Sequence, residues 1–161
     1  MSKHLHAGHA STAGLRAALL AREGFTGAEA ILEGERGFYR GLCPDPRPAA
    51  VLREAEGWKL PETSLKPYPS CRHTHPVVDA ALELRDRVGL DGDGAPELLD
   101  VTIASYGPAL ALTDRPRPDT PYAAKFSLQF CAATALLHGP PDLESFGPER
   151  VADPRTRRLL D

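Results

Sequence analysis

Nowhere in this chain of 161 residues does an apolar run approach the roughly 20 residues that a membrane-spanning helix needs. The N-terminus carries His4, His6 and His9 where a secretory signal would have its apolar core. A basic surface is missing too. The 19 lysines and arginines are dispersed among 22 acidic residues, the formal net charge is −3, and that pattern offers nucleic acid no footprint. Cysteine is scarce: Cys43, Cys71 and Cys131 are odd in number and far apart, so neither a disulfide framework nor a CxxC metal site is indicated. Their spacing does not look like iron–sulfur ligation either. Internal repeats and low-complexity tracts are absent, and 16 prolines with 14 glycines cut the chain into elements too short for a coiled coil. A composition of 42% hydrophobic and 25% charged residues is that of a globular protein. The expectation is a soluble cytoplasmic protein with no nucleic-acid and no membrane partner.

The most informative stretch present is Lys66-Pro67-Tyr68-Pro69-Ser70-Cys71-Arg72-His73-Thr74-His75. It gathers ammonium, thiol, guanidinium and imidazole groups directly before an apolar stripe of Val77, Val78, Ala81, Leu82 and Val88, which predicts a helix running to about Val88. Free backbone N–H groups and the positive end of the macrodipole at that helix start favour a carboxylate or phosphate, to which Arg72 can add a bidentate fork. Cys71, beside Arg72 at a helix N-terminus, has its thiolate favoured and can serve as an acid or base. The bland alternative is a surface turn with scattered polar residues.

Along the rest of the chain, Ser11 and Thr12 can cap a helix whose Leu15, Ala18, Leu19 and Leu20 run to a stop at Gly24. A two-turn helix fits residues 28–33, a short turn passes through Phe38, Tyr39 and Leu42, and a short helix fits residues 48–56 with Pro48 in its first turn. The apolar area of Phe25, Ile31, Leu32, Phe38, Tyr39 and Leu42 exceeds what this first third can cover, which predicts an exposed patch that associates. After Gly57, residues 65–68 read as extended, a loop spans residues 91–94, and Leu99, Val101 and Ile103 alternate with Asp100 and Thr102 as in a strand. Residues 123–138, apolar almost all round, predict a buried helix ended by Gly139-Pro140-Pro141, and Asp153-Pro154 opens a final helical stub. Helices against a small sheet predict an α+β fold: the end of a helical domain over residues 1–57, then a two-layer α/β domain over residues 58–161.

Four separated stretches together resemble the MmgE/PrpD family, which includes 2-methylcitrate dehydratase and cis-aconitate decarboxylase. They are Lys3-His4-Leu5-His6-Ala7-Gly8-His9-Ala10 with its continuation to Gly34, the stretch from Lys66 to His75, the strand-like Leu99-Asp100-Val101-Thr102-Ile103, and Ala124-Lys125-Phe126-Ser127-Leu128-Gln129-Phe130 with Ala135-Leu136-Leu137-His138-Gly139. Family members run to several hundred residues, so the resemblance implies that both ends look cut and that other acidic and histidine active-site groups lie outside this chain. It also implies cofactor-independent chemistry, with Lys3, His6, Lys66, Cys71 and His75 in catalytic roles and Lys66 and Arg72 holding a small di- or tricarboxylate. Decarboxylating members place a histidine where Cys71 stands, and some place a tyrosine where this chain has Leu112, shortly before Arg115-Pro116; both departures favour a dehydratase. His75 can equally cap the helix, His73 takes no assignment, and Lys125 with Ser127 reads as packing. The other readings are a non-catalytic remnant or assembly partner, homodimeric or docked through its helical face, and, more weakly, a histidine metal module built on Lys3, His4, His6 and His9.

Overall fold

Residues 2–10 hold no proline and one glycine, so nothing stops the first helix from starting well before Ser11. In the computed structural model, which describes residues 2–51, 57–90, 98 and 100–161, α1 spans Ser2–Arg22. Ser11 is not its cap: the hydroxyl donates back to the Ala7 carbonyl at 3.0 Å, the in-helix use of a serine. Gly24, at φ 86°, then turns the chain out of the helix. Residues 29–33 are a run of hydrogen-bonded turns, not the helix expected over residues 28–33, and the Ile31 and Leu32 carbonyls accept from the N–H groups of Phe38 and Tyr39. Two short helices follow, α2 (Phe38–Leu42) and α3 (Pro48–Val51); the expected continuation over residues 52–56 lies outside the described residues. These elements belong to the first of two compact units, Met1–Glu62.

The second unit, Thr63–Asp161, is built on two helices. α4 (His75–Val88) carries Pro76 in its first turn and presents His75, Val78 and Ala81 inward at the i, i+3 spacing of a one-sided helix. It ends at Gly89, whose left-handed φ of 66° and ψ of 45° is a conformation that costs a side-chain-bearing residue but not glycine. α7 (Leu128–His138) is buried all round from Phe130 to Leu136, as its continuous apolar sequence requires. It packs on α4, and the Arg85 guanidinium of α4 donates to the Leu136 carbonyl of α7. Phe146, Val151 and Ala124 close the core around Val78, Phe130, Cys131 and Leu136. The helix expected over residues 123–138 is two: α6 (Pro121–Ala124) stops, and Ser127 restarts the chain by accepting the Phe130 N–H at 2.9 Å as N-cap of α7. α5 (Gly107–Thr113), α8 (Pro148–Val151) and α9 (Pro154–Leu160), the last capped by Asp153, complete the unit.

The α+β expectation is corrected by this structure: the described residues contain helices and no strand. Residues 101–106 do alternate, with Val101, Ile103 and Ser105 half-buried and Thr102, Ala104 and Tyr106 exposed. Period-2 burial, however, reports which side chains face a core. A strand further needs a neighbouring backbone in register, and none is present for this segment among the described residues. Its inward side chains lie instead along α4 and α7, beside Ala81, Ala132 and Leu136. Residues 65–68 fail for another reason, since Pro67 has no N–H and the Leu65 carbonyl is already taken by the Arg72 guanidinium at 2.7 Å. Leu99 and the loop at residues 91–94 lie outside the described residues.

Candidate functional site

The stretch from Lys66 to His75 folds as one tight turn that feeds α4 through a single 3₁₀ turn, Arg72–Thr74. Two prolines stiffen the approach, and the turn is then stapled by the groups that gave it its chemical interest. Lys66 Nζ donates to the Ser70 carbonyl at 3.1 Å. Arg72 donates to the Leu65 carbonyl and to the Ser64 hydroxyl, and its guanidinium lies 3.4 Å from His75 Nδ1. Arg72 is therefore a loop-closing residue in this conformation, whereas Lys66 keeps two of its three N–H donors for another acceptor.

Cys71 is half-buried at the start of the 3₁₀ turn, with its N–H donating to the Lys125 carbonyl at 2.8 Å. Beneath it, Thr74 is fully buried and donates its hydroxyl to the Cys71 carbonyl at 2.8 Å. His75 is 5% exposed, packs edge-on against Tyr68 with ring centroids 5.2 Å apart, and leaves its Nε2 buried with no partner. Burial lowers its pKa below the ordinary histidine value, and the Arg72 and Lys66 charges push the same way against the Ser70 carbonyl and Asp79. His75 is thus held as a neutral ring inside the turn, and its Nε2 is closed to a ligand in this conformation. Tyr68 donates to Asp79 at 2.7 Å, and burial together with that carboxylate pushes the phenol up to about 12.

The remaining expected groups are placed as follows. Lys3 and His6 lie exposed on α1, in the other unit. His73 pairs through Nδ1 with the Tyr106 hydroxyl, a contact that joins the 3₁₀ turn to the N-terminus of α5 and that sequence reading missed, because 33 positions separate the two residues. Lys125 Nζ stands 5.8 Å over the Phe146 ring and Ser127 caps α7, both structural uses. Leu112 is more than half exposed on α5. Among the described residues no group of three or more His, Cys, Asp or Glu side chains is arranged for a metal ion.

Two grooves mark the second unit, and neither is lined by Lys66, Cys71, Arg72 or His75. One, of about 700 Å³, runs between α7 and α9 past Gln129, Arg155 and Arg158; the other, of about 330 Å³, is an apolar slot between α4 and residues 101–106. Size alone would favour the first, but the turn brings cations, a thiol and an imidazole close together in the chain.

A family model described as the MmgE/PrpD C-terminal domain matches residues 68–161, and one described as the MmgE/PrpD N-terminal domain matches residues 1–50. The chain belongs to the MmgE/PrpD family. It is 30% identical to a cis-aconitate decarboxylase of Homo sapiens over 99% of its own length and 34% of that protein's, and 30% identical to one of Mus musculus over 99% and 33%. It is 28% identical to a 2-methylcitrate dehydratase of Cupriavidus necator over 94% of its length and 32% of that protein's. The chain thus spans about a third of the length of each of these relatives. No described helix is long and apolar enough to cross a membrane.

Proposed function

We propose that this chain is a lyase module for small di- or tricarboxylic acids, of the dehydratase type, in which side chains alone remove a proton next to a carboxylate. The observation that carries the reading is the turn itself: an ammonium with two donors to spare, a half-buried thiol and a guanidinium brought within one 3₁₀ turn of a 14-residue helix start. Removing a proton α to a carboxylate pushes negative charge onto the carboxylate oxygens, and a lysine ammonium aimed there stabilises that charge more than it stabilises the ground state. Cys71 is the acid or base of this scheme, and Lys66 holds the substrate carboxylate. Arg72 joins as a second anchor on leaving Ser64, and His75 takes part on family resemblance once its buried ring is uncovered. Lys3 and His6 take part on family resemblance, residues 1–57 being the end of the family's helical domain and residues 58–161 its small domain. Cis-aconitate and 2-methylcitrate, the compounds in the relatives' names, each carry three carboxylates, which supports this substrate class and a place in carboxylic acid metabolism.

Calorimetric titration of the purified chain with citrate, cis-aconitate and 2-methylcitrate tests the reading. One charged hydrogen bond is worth on the order of 1.5–3 kcal/mol, so weak binding by the wild type and roughly tenfold weaker binding by Lys66→Ala are expected. Equal heats for both proteins would remove Lys66 from the site. Turnover by the 161-residue chain is expected to be negligible, because a base and an acid have to be held together at one carbon and the described turn offers a single thiol.

The second reading, a non-catalytic assembly partner, is favoured by one observation: all side chains described in α1 are exposed, Leu5, Leu15, Leu19 and Leu20 included. Normal helicity with self-association and no anion binding at all would establish it over the first.

A further inference from the structure

Cys71 is held by both of its backbone groups. Its N–H reaches the Lys125 carbonyl at the end of α6, and its carbonyl accepts two bonds from one residue, the Thr74 N–H at 2.9 Å and the Thr74 hydroxyl at 2.8 Å. Because the single Thr74 hydroxyl proton is used there, the 2.8 Å contact between Ser70 and Thr74 hydroxyls has a fixed sense: Ser70 donates and Thr74 accepts. Both hydroxyls are buried, Ser70 at 5% exposure and Thr74 at 0%. They sit against the fully buried Cys131 of α7, whose thiol lies 3.7 Å from the Ala124 carbonyl, the neighbour of the carbonyl that holds Cys71. Burial raises that thiol to about 11 against the smaller opposing influence of the neighbouring Thr74 and Ser70 side chains, so Cys131 is a neutral platform with no part in acid–base work. A chain of small polar groups thus runs from the core helix to the residue that bears the candidate thiol.

We propose that Ser70 and Thr74 are positioning residues for Cys71: their hydroxyl pair, seated on Cys131, fixes the turn that presents the Cys71 sulfur. The inference rests on the reading of that turn as the anion site, yet it makes a separate claim. Valine in place of Thr74 keeps the shape and removes the second bond to the Cys71 carbonyl, while serine keeps the bond and loses a methyl. Removing the bond loosens the 3₁₀ turn and uncovers a thiol that is now half-buried.

Iodoacetamide alkylation of the purified chain at one fixed pH, resolved by peptide mass spectrometry, separates Cys71 from exposed Cys43 and buried Cys131. Thr74→Val is expected to speed Cys71 alkylation roughly fivefold, the population shift that follows loss of one net hydrogen bond, with Cys43 unchanged as the internal reference and Thr74→Ser restoring the wild-type rate. A wild-type rate in Thr74→Val, or the same acceleration in Thr74→Ser, overturns the proposal. Should Cys131 become reactive in Thr74→Val, the fold has opened, and Ser70→Ala is then judged on the same two criteria. Citrate added to the wild type tests the underlying reading separately. Failure of citrate to slow Cys71 alkylation removes the anion site and leaves the positioning result standing; protection without a Thr74 effect does the reverse.

Discussion

At the scale of single residues, the turn is held together by the same side chains that make it a candidate site. His75 is kept neutral by burial and by the neighbouring charges of Arg72 and Lys66, so its folded-state pKa lies below the ordinary 6.5. The unfolded chain therefore takes up the proton first as the solution is acidified. The contribution of a neutral His75 to stability is complete above about pH 6.5 and is lost as pH falls from there through the folded value. Urea unfolding of the wild type and of His75→Gln at pH 8, 6.5 and 5 checks this: the wild type is expected to lose stability across that range faster than the variant, and parallel pH dependences would contradict it. Arg72 teaches the opposite lesson about reading sequence. Its neighbours in sequence suggested an anion fork, but its acceptors are Leu65 and Ser64, seven and eight positions back, across a segment that is neither helix nor strand. The residues of the turn were legible in the sequence; the hydrogen bonds that close it were not, because they depend on a loop geometry that only the two prolines hint at.

At the scale of elements, helix boundaries followed capping chemistry wherever capping was read correctly. α9 begins at the expected Pro154 and is anchored by Asp153, which accepts from the Arg155 and Thr156 N–H groups and faces His138 of α7 at 3.1 Å. Burial alone would raise the Asp153 carboxyl, but hydrogen bonds from Thr156, Arg155 and His138 outweigh it and hold the group below its usual value. Its contribution to stability is consequently present above the unfolded value of 3.8 and lost as pH falls through the folded one. Asp153→Ala removes both the cap and one partner of His138, and a loss of about 1–2 kcal/mol in denaturant unfolding at neutral pH is expected. A change below about 0.3 kcal/mol would show the cap to be incidental. The break at Ser127 was missed because apolar continuity masked a capping serine, and the strand was expected because alternation at residues 100–103 is blind to whether a second backbone lies alongside.

At the scale of the molecule, the two units differ in what holds them. The second has a contiguous core around Phe130, Leu136 and Phe146. In the first, Phe25, Ile31, Leu32, Phe38 and Leu42 are between 49% and 72% exposed, and short helices without tertiary cover are marginal in water. Concentration-dependent association in sedimentation, with binding of a hydrophobic dye, is expected; a monomer that binds no dye at high concentration would show that the segment is covered in solution. The family was legible from four spaced motifs, because motif order and spacing are carried by the sequence itself and need no knowledge of contacts. The proposal that the turn at residues 64–75 is the site is tested most directly by citrate titration of the isotopically labelled chain followed through backbone amide resonances. Saturable shifts concentrated on residues 64–75, and abolished in Lys66→Ala, are the expected result. Shifts confined to the groove lined by Arg155 and Arg158, or none at millimolar citrate, would contradict it.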